Sequence, residues 1–259
     1  MADGPAVDPA ALRADWRRFA RAPAPPWLHG EVARRMAERL PMIRLQPATV
    51  LQWWAWSGAS EAPLAAAYPK ARRLLVEPVP ALAERSRAAR ARWWTRPRGC
   101  TAQVVLDAEL TDASAELLWA NMALHLSADP EALLVRWQRA LAVGGFVMFS
   151  CFGPDTLKAL RPLYARLGWG APAQDFVDMH DLGDMMLHAG FADPVMDQET
   201  LTLTFADAAS LLGELRGLGG NAATARHAGL RTPRWRARLE RELEGLRDAR
   251  GRLALGFEI

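Results

Sequence analysis

The sequence predicts an α/β fold: a mostly parallel sheet with helices on both faces. Three observations lead there. Residues Ala48–Pro80 read as strand, turn, helix and strand, closed by an acid at Glu77. Short apolar strands then alternate with segments of helical period as far as Ser150. Phe146–Ser150 is a continuous apolar run, as expected of a central parallel strand. In a doubly wound sheet a nucleotide lies over the first turn, and the acid ending the second strand takes its ribose hydroxyls.

The elements can be justified in order. Residues before Pro9 are polar and small, and disorder is expected there. Pro9–Ala22 sets Leu12, Trp16 and Phe19 at helical spacing, and Ala22–Pro26 breaks the helix. That Pro/Ala segment is read as a stiff connector, with a lid hinge as the other reading. Glu31–Leu40 aligns Val32, Met36 and Leu40. Val50 and Leu51 end a buried strand, Ser57–Ser60 is a turn of small residues, and a helix runs from Glu61 to Tyr68. Arg73–Val76 is the second strand. A helix Pro80–Ala91 leads to Trp93, Trp94 and a Pro/Gly-rich turn. Gln103–Leu106 and Glu116–Trp119 are short strands ending at Asp107 and Asn121. Asp129-Pro130 opens a helix to Leu141, which Val143-Gly144-Gly145 should stop. In the second half, helices are expected at Pro154–Leu167, His180–Ala189, Asp207–Leu218 and Arg234–Arg247, and strands at Pro194–Thr204 and Leu253–Ile259.

Composition narrows the function classes. With 259 residues and 51% apolar content the chain can bury a sizeable core. The net charge of +3 is a mild excess. Lys70 and Lys158 are the only lysines; the arginines alternate with acids along helices, as on a solvated face rather than a nucleic-acid patch. Cys100 and Cys151 make neither a disulfide framework nor a zinc site, and no metal set is expected. Reduced thiols, a polar N-terminus unlike a signal peptide and no membrane-length apolar run imply a cytoplasmic protein without a membrane partner.

The segments Glu31–Leu51, Leu117–Leu126, Leu141–Arg161, Phe176–Phe205 and Gly217–Ala223 span most of the chain. Through them it resembles class I S-adenosylmethionine-dependent methyltransferases. More narrowly, Phe152-Gly153-Pro154-Asp155-Thr156 and Met179-His180-Asp181 resemble the malonyl-acyl-carrier-protein O-methyltransferases of biotin synthesis, the BioC family. The resemblance implies a three-layer, Rossmann-like sheet of seven strands with an antiparallel last strand. It implies methyl transfer from S-adenosylmethionine to the free carboxylate of malonyl-acyl-carrier protein or malonyl-CoA. One domain over residues 1–259 is expected, with a helical cap at 1–40, a cofactor half at 41–151 and a substrate half at 152–259. Against the family pattern, Gln52 replaces an acid, Trp54 and Trp56 replace glycines, and Ser57 and Gly58 match. A tyrosine of the pattern is missing from Phe19–His29, and the family's aromatic and histidine tail lies beyond Ile259.

The cofactor candidates are therefore Gln52, Ser57, Gly58, Glu77, Pro78, Asp107 and Asn121. Phe152, Asp155, His180 and Asp181 are the substrate-side candidates. No catalytic acid or base is assigned, since a carboxylate is already a nucleophile. Each has a plainer alternative: a strand-end acid at Glu77, turn formers at Asp107 and Asn121, a helix-start acid at Asp181 and a structural His180. His125 receives no role. Trp53, Trp54 and Trp56 would either wall off the cofactor turn or stack on an adenine or sulfonium. Filling is the favoured reading, because a side chain with Cβ takes a glycine backbone only at a cost. That leaves a second function open: a methyltransferase fold, its cofactor turn filled by tryptophan, kept as a non-catalytic binding partner.

Overall fold

The computed structural model describes residues 7–91 and 102–259. In chain order the elements are α1 (Pro9–Arg21), α2 (Trp27–Ala37), β1 (Thr49–Trp53), α3 (Ala55–Gly58), α4 (Glu61–Ala67), β2 (Arg72–Glu77), α5 (Pro80–Ala91), β3 (Ala102–Leu106), β4 (Ala115–Ala120), α6 (Pro130–Ala140), β5 (Leu141–Phe149), α7 (Leu160–Leu167), α8 (Met179–His188), β6 (Thr200–Phe205), α9 (Ala208–Gly217), α10 (Pro233–Glu244) and β7 (Leu253–Glu258). The seven strands of the expected α/β, Rossmann-like architecture are present, five parallel and two antiparallel. The stretch with Trp93, Trp94 and Cys100 lies outside the described residues.

The chain forms two compact units. One holds Trp16–Cys151 and Asp184–Pro194. Its parallel ladder runs β3-β2-β1-β4-β5, so the order reverses beside β1. Val50, Leu51, Val76, Leu117 and Leu118 are buried, which is why these strands are apolar without alternation. Trp137 and Leu134 of α6 join that core. The Asp129 side chain accepts the Ala132 N–H at 2.9 Å and Pro130 takes the first helical position, as the Asp-Pro pair foretold.

The other unit holds the residues up to Asp15, Phe152–Gly183 and Val195–Ile259. Here β6 pairs antiparallel with β7 from Thr200↔Glu258 to Phe205↔Leu253. The Asp207 and Thr232 side chains cap α9 and α10.

Several boundaries differ from the sequence expectation. Val7 bridges Ala223, and the Asp8 N–H donates to the Ala222 carbonyl at 2.8 Å, so these two residues are ordered. The second helix starts at Trp27, four residues early, directly after Pro26. The turn expected at Ser57–Ser60 begins earlier, with Ser57 and Gly58 inside the short helix α3. Gly144-Gly145 does not stop a helix: α6 ends at Ala140 and the pair lies inside β5. It forms an irregularity opposite Ala115–Leu117, with Gly144 at φ +79°. Phe146–Ser150 was expected to be central, yet β5 ends the parallel ladder. Residues 154–159 form turns, and α7 begins only at Leu160, because Leu157 sits at φ +56°. The strand expected from Pro194 begins at Thr200, where its partner β7 runs out at Glu258.

A Cβ on Gly145 would stand 2.9 Å from the Glu116 carbonyl oxygen, a backbone atom that cannot swing away. Gly145→Ala is expected to lower stability by about 1–3 kcal/mol, read as a shifted urea midpoint with unchanged slope. Equal midpoints for variant and wild type would refute it.

Candidate active site

The site begins with the backbone between β1 and α4. Trp54 adopts φ 49°, ψ 57°, a left-handed conformation, and Ala59 closes the turn at φ 53°. The glycine backbone is thus kept at Trp54 with an indole attached. Left-handed backbone costs a residue with Cβ about 1–2 kcal/mol. A buried tryptophan is worth about 3–5 kcal/mol over alanine, so packing outweighs strain. The Trp54 ring is buried against Trp16 of α1, edge to face at 4.6 Å between centroids. Trp53 is also buried, against Trp137 of α6 at 6.1 Å. Trp56 is half-buried; its indole N–H donates to the Phe19 carbonyl at 3.2 Å and Arg85 lies over its ring at 4.6 Å. Arg85 in turn donates to the Ala22 carbonyl.

Glu77 holds this turn from the end of β2. Its Oε1 accepts the Trp56 N–H at 2.8 Å and the Ser86 hydroxyl at 2.5 Å. The side chain is fully buried, and its Oε2 has no protein donor. Burial pushes the carboxyl up to about 7, against the pull of the two hydrogen bonds.

Asn121, after β4, holds the other side. Its amide donates to the His29 and Gly58 carbonyls, both at 2.7 Å, and its Oδ1 accepts from the Ser150 hydroxyl at 2.9 Å. Gly58 is tightly placed: a Cβ there would lie 3.2 Å from the Asn121 carbonyl oxygen, which would have to give by a few tenths of an ångström. The Ser57 carbonyl accepts from His29 Nδ1 at 2.7 Å. Burial brings His29 down to about 4, so its ring is neutral. His125, 6.3 Å away edge to face, is driven well below its ordinary value by burial and by His29.

The remaining cofactor candidates share that sheet edge. Gln52 pairs in register with Trp119, and Glu77 with Leu106, so Asp107 and Asn121 follow at the carboxyl ends of neighbouring strands. This is the edge where ligands bind in such sheets. The Gln52 amide donates to Glu61 at 3.3 Å, and Glu61 pairs with Arg73 and Arg90, each at 3.1 Å. Asp107 is half-buried; burial raises its carboxyl and Arg136 opposes this. Pro78 is half-buried beside Glu77.

The substrate-side candidates all lie in the second unit described. Phe152 is buried against Phe176 at 5.5 Å and Phe257 at 5.9 Å. Asp155 is exposed and pairs with Lys158 at 2.8 Å. His180 is exposed, with Nδ1 2.9 Å from Asp178 Oδ1, and Asp181 is exposed in the first turn of α8. His29, Ser86 and Ser150 were missed by sequence reading. His29 and Ser150 are isolated polar residues among apolar ones and Ser86 sits in a charged helical stretch, so only tertiary proximity gives each its partner.

No protein-family model matches the chain. It is similar to malonyl-acyl-carrier-protein O-methyltransferases from several bacteria. That of Gallionella capsiferriformans is 36% identical over 260 residues, covering 98% of this chain and 89% of the relative. That of Halorhodospira halophila is 39% identical over 234 residues, covering 90% and 79%. Among solved structures, the Bacillus subtilis YcgJ protein matches with TM-score 0.56 at 14% identity, over 86% of this chain and 94% of that one. The cyclase SpnF matches with TM-score 0.55 at 14% identity, over 99% and 97%. At such identity these two show the fold alone.

The buried groups dictate opposite pH dependences. Glu77 keeps a proton in the folded chain that the unfolded chain has lost, so its contribution declines as pH rises from 4.5 to about 7. Glu77→Gln should therefore gain on the wild type by on the order of 3 kcal/mol between acid and neutral pH. His29 refuses a proton that the unfolded chain accepts, so stability is lost as pH falls from 6.5 towards about 4. His29→Gln should flatten that acid limb. Urea melts across the pH range check both; parallel wild-type and variant curves would refute the assigned ionisation.

Proposed function

The chain belongs to the malonyl-acyl-carrier-protein O-methyltransferase family, and on that premise we propose that it methylates the free carboxylate of a malonyl thioester in biotin biosynthesis. The observation that carries this reading is identity of 36% across 98% of the chain. Acyl-carrier protein or coenzyme A would carry the malonyl group.

The residues fit S-adenosylmethionine as the methyl donor. Glu77 Oε2 is a buried acceptor without a protein donor, as a ligand hydroxyl requires. The indoles of Trp54 and Trp56 are turned to Trp16, Phe19 and Arg85. Glu77, Asp107 and the Ser57-Gly58 turn would hold the adenosyl part, and neutral Gln52 stands where the family pattern has an acid. When bound, S-adenosylmethionine supplies an electrophilic methyl group on a sulfonium.

This chain's residues would align and dehydrate the acceptor rather than move protons. A carboxylate needs no base, so Phe152, Asp155, His180 and Asp181 are assigned to positioning the malonyl end. The assay is mass spectrometry of malonyl-acyl-carrier protein after incubation with enzyme and S-adenosylmethionine. One added methyl per malonyl group is expected, and an unmodified thioester would reject the proposal. Glu77→Ala should weaken S-adenosylmethionine binding by at least about tenfold in calorimetry, while unchanged affinity would remove Glu77 from the site.

A further inference from the structure

The turn that follows β5 is wrapped around one carboxylate. Glu258, near the end of β7, is 5% exposed. Among the described residues no cation pairs with it. Its Oε2 accepts the Asp155 N–H at 2.5 Å. The same residue's main chain grips the turn: the Gly153 N–H donates to the Glu258 carbonyl at 2.9 Å, and so does the Thr156 hydroxyl at 3.0 Å. Thr156 Oγ1 accepts the Glu258 N–H at 3.1 Å. Leu157 N–H donates to the Gly256 carbonyl at 2.9 Å, so the turn lies along β7 at both ends.

Gly153 is the consequence. A Cβ there would stand 2.7 Å from Glu258 Oε1, so the carboxylate occupies the space a side chain would need. The Phe-Gly-Pro-Asp-Thr run is therefore a turn shaped to accept a charge from another strand. A buried carboxylate without a counter-charge is costly to keep. A neutral residue would leave β7 paired with β6 and spare that cost. What the side chain adds is a buried acceptor for the Asp155 N–H, which sets the conformation of residues 152–156.

We propose that Glu258 is a positioning residue for the methyl acceptor, setting the turn that presents Phe152 and Asp155. This rests on the malonyl-thioester reading above. Glu258→Ala in the full chain should raise KM for malonyl-acyl-carrier protein by at least about tenfold, with the S-adenosylmethionine Kd held within about twofold. Glu258→Gln, whose carbonyl oxygen still accepts the Asp155 N–H, should recover most of the loss. Amide exchange of residues 155–158 should accelerate in the alanine variant and not in the glutamine variant, while β6 stays protected. An alanine variant with unchanged KM and exchange overturns the proposal, and so does one that loses donor and acceptor binding equally. If the exchange pattern holds but wild type methylates no malonyl thioester, the clamp stands and the assigned reaction falls.

Discussion

One buried acid organises the carboxyl edge of the parallel strands. Glu77 reaches from β2 to the Trp56 N–H and takes the Ser86 hydroxyl from α5. Three elements are thereby tied to a single oxygen, while the second oxygen is left for something else. A buried acceptor without a partner costs about 1–3 kcal/mol. Its raised ionisation follows from the same burial. Asn121 completes the frame by binding both the His29 and Gly58 carbonyls.

The tryptophans of the turn show how a backbone requirement and a side-chain type can be separated. The left-handed conformation at position 54 is what the turn needs. Glycine reaches it without cost, but an indole reaches it too when its ring has somewhere to pack. Trp16 provides that place. Trp56 is handled differently: its backbone is helical, and its ring serves as a platform for Arg85. The aromatic residues thus join the α1 end and α5 to the turn.

A parallel economy governs the other unit. There the strand β7 carries a carboxylate whose hydrogen bond shapes a turn far away in sequence. In both units an acid near a strand's carboxyl end accepts main-chain N–H groups of a glycine-containing turn. The bond is strong because it is sheltered from water. It places atoms with little freedom, which is what alignment of two reactants demands.

Period alone determined the α/β class and the seven strand segments, while the family resemblance implied their assembly into the expected sheet and the structure brought Glu77, Asp107 and Asn121 to one edge. Sequence reading misjudged Gly144-Gly145, since a glycine pair reads the same as a helix stop or a strand irregularity until a facing strand is known. It read Trp54 as costly in a glycine backbone and did not reveal the ring's partner, because Trp16 lies far off in the chain. His29, Ser86 and Glu258 carry no local signal at all. Their roles arise only when folding removes water and leaves each polar atom to find a partner across the core, a choice that depends on tertiary distance and not on neighbours in sequence.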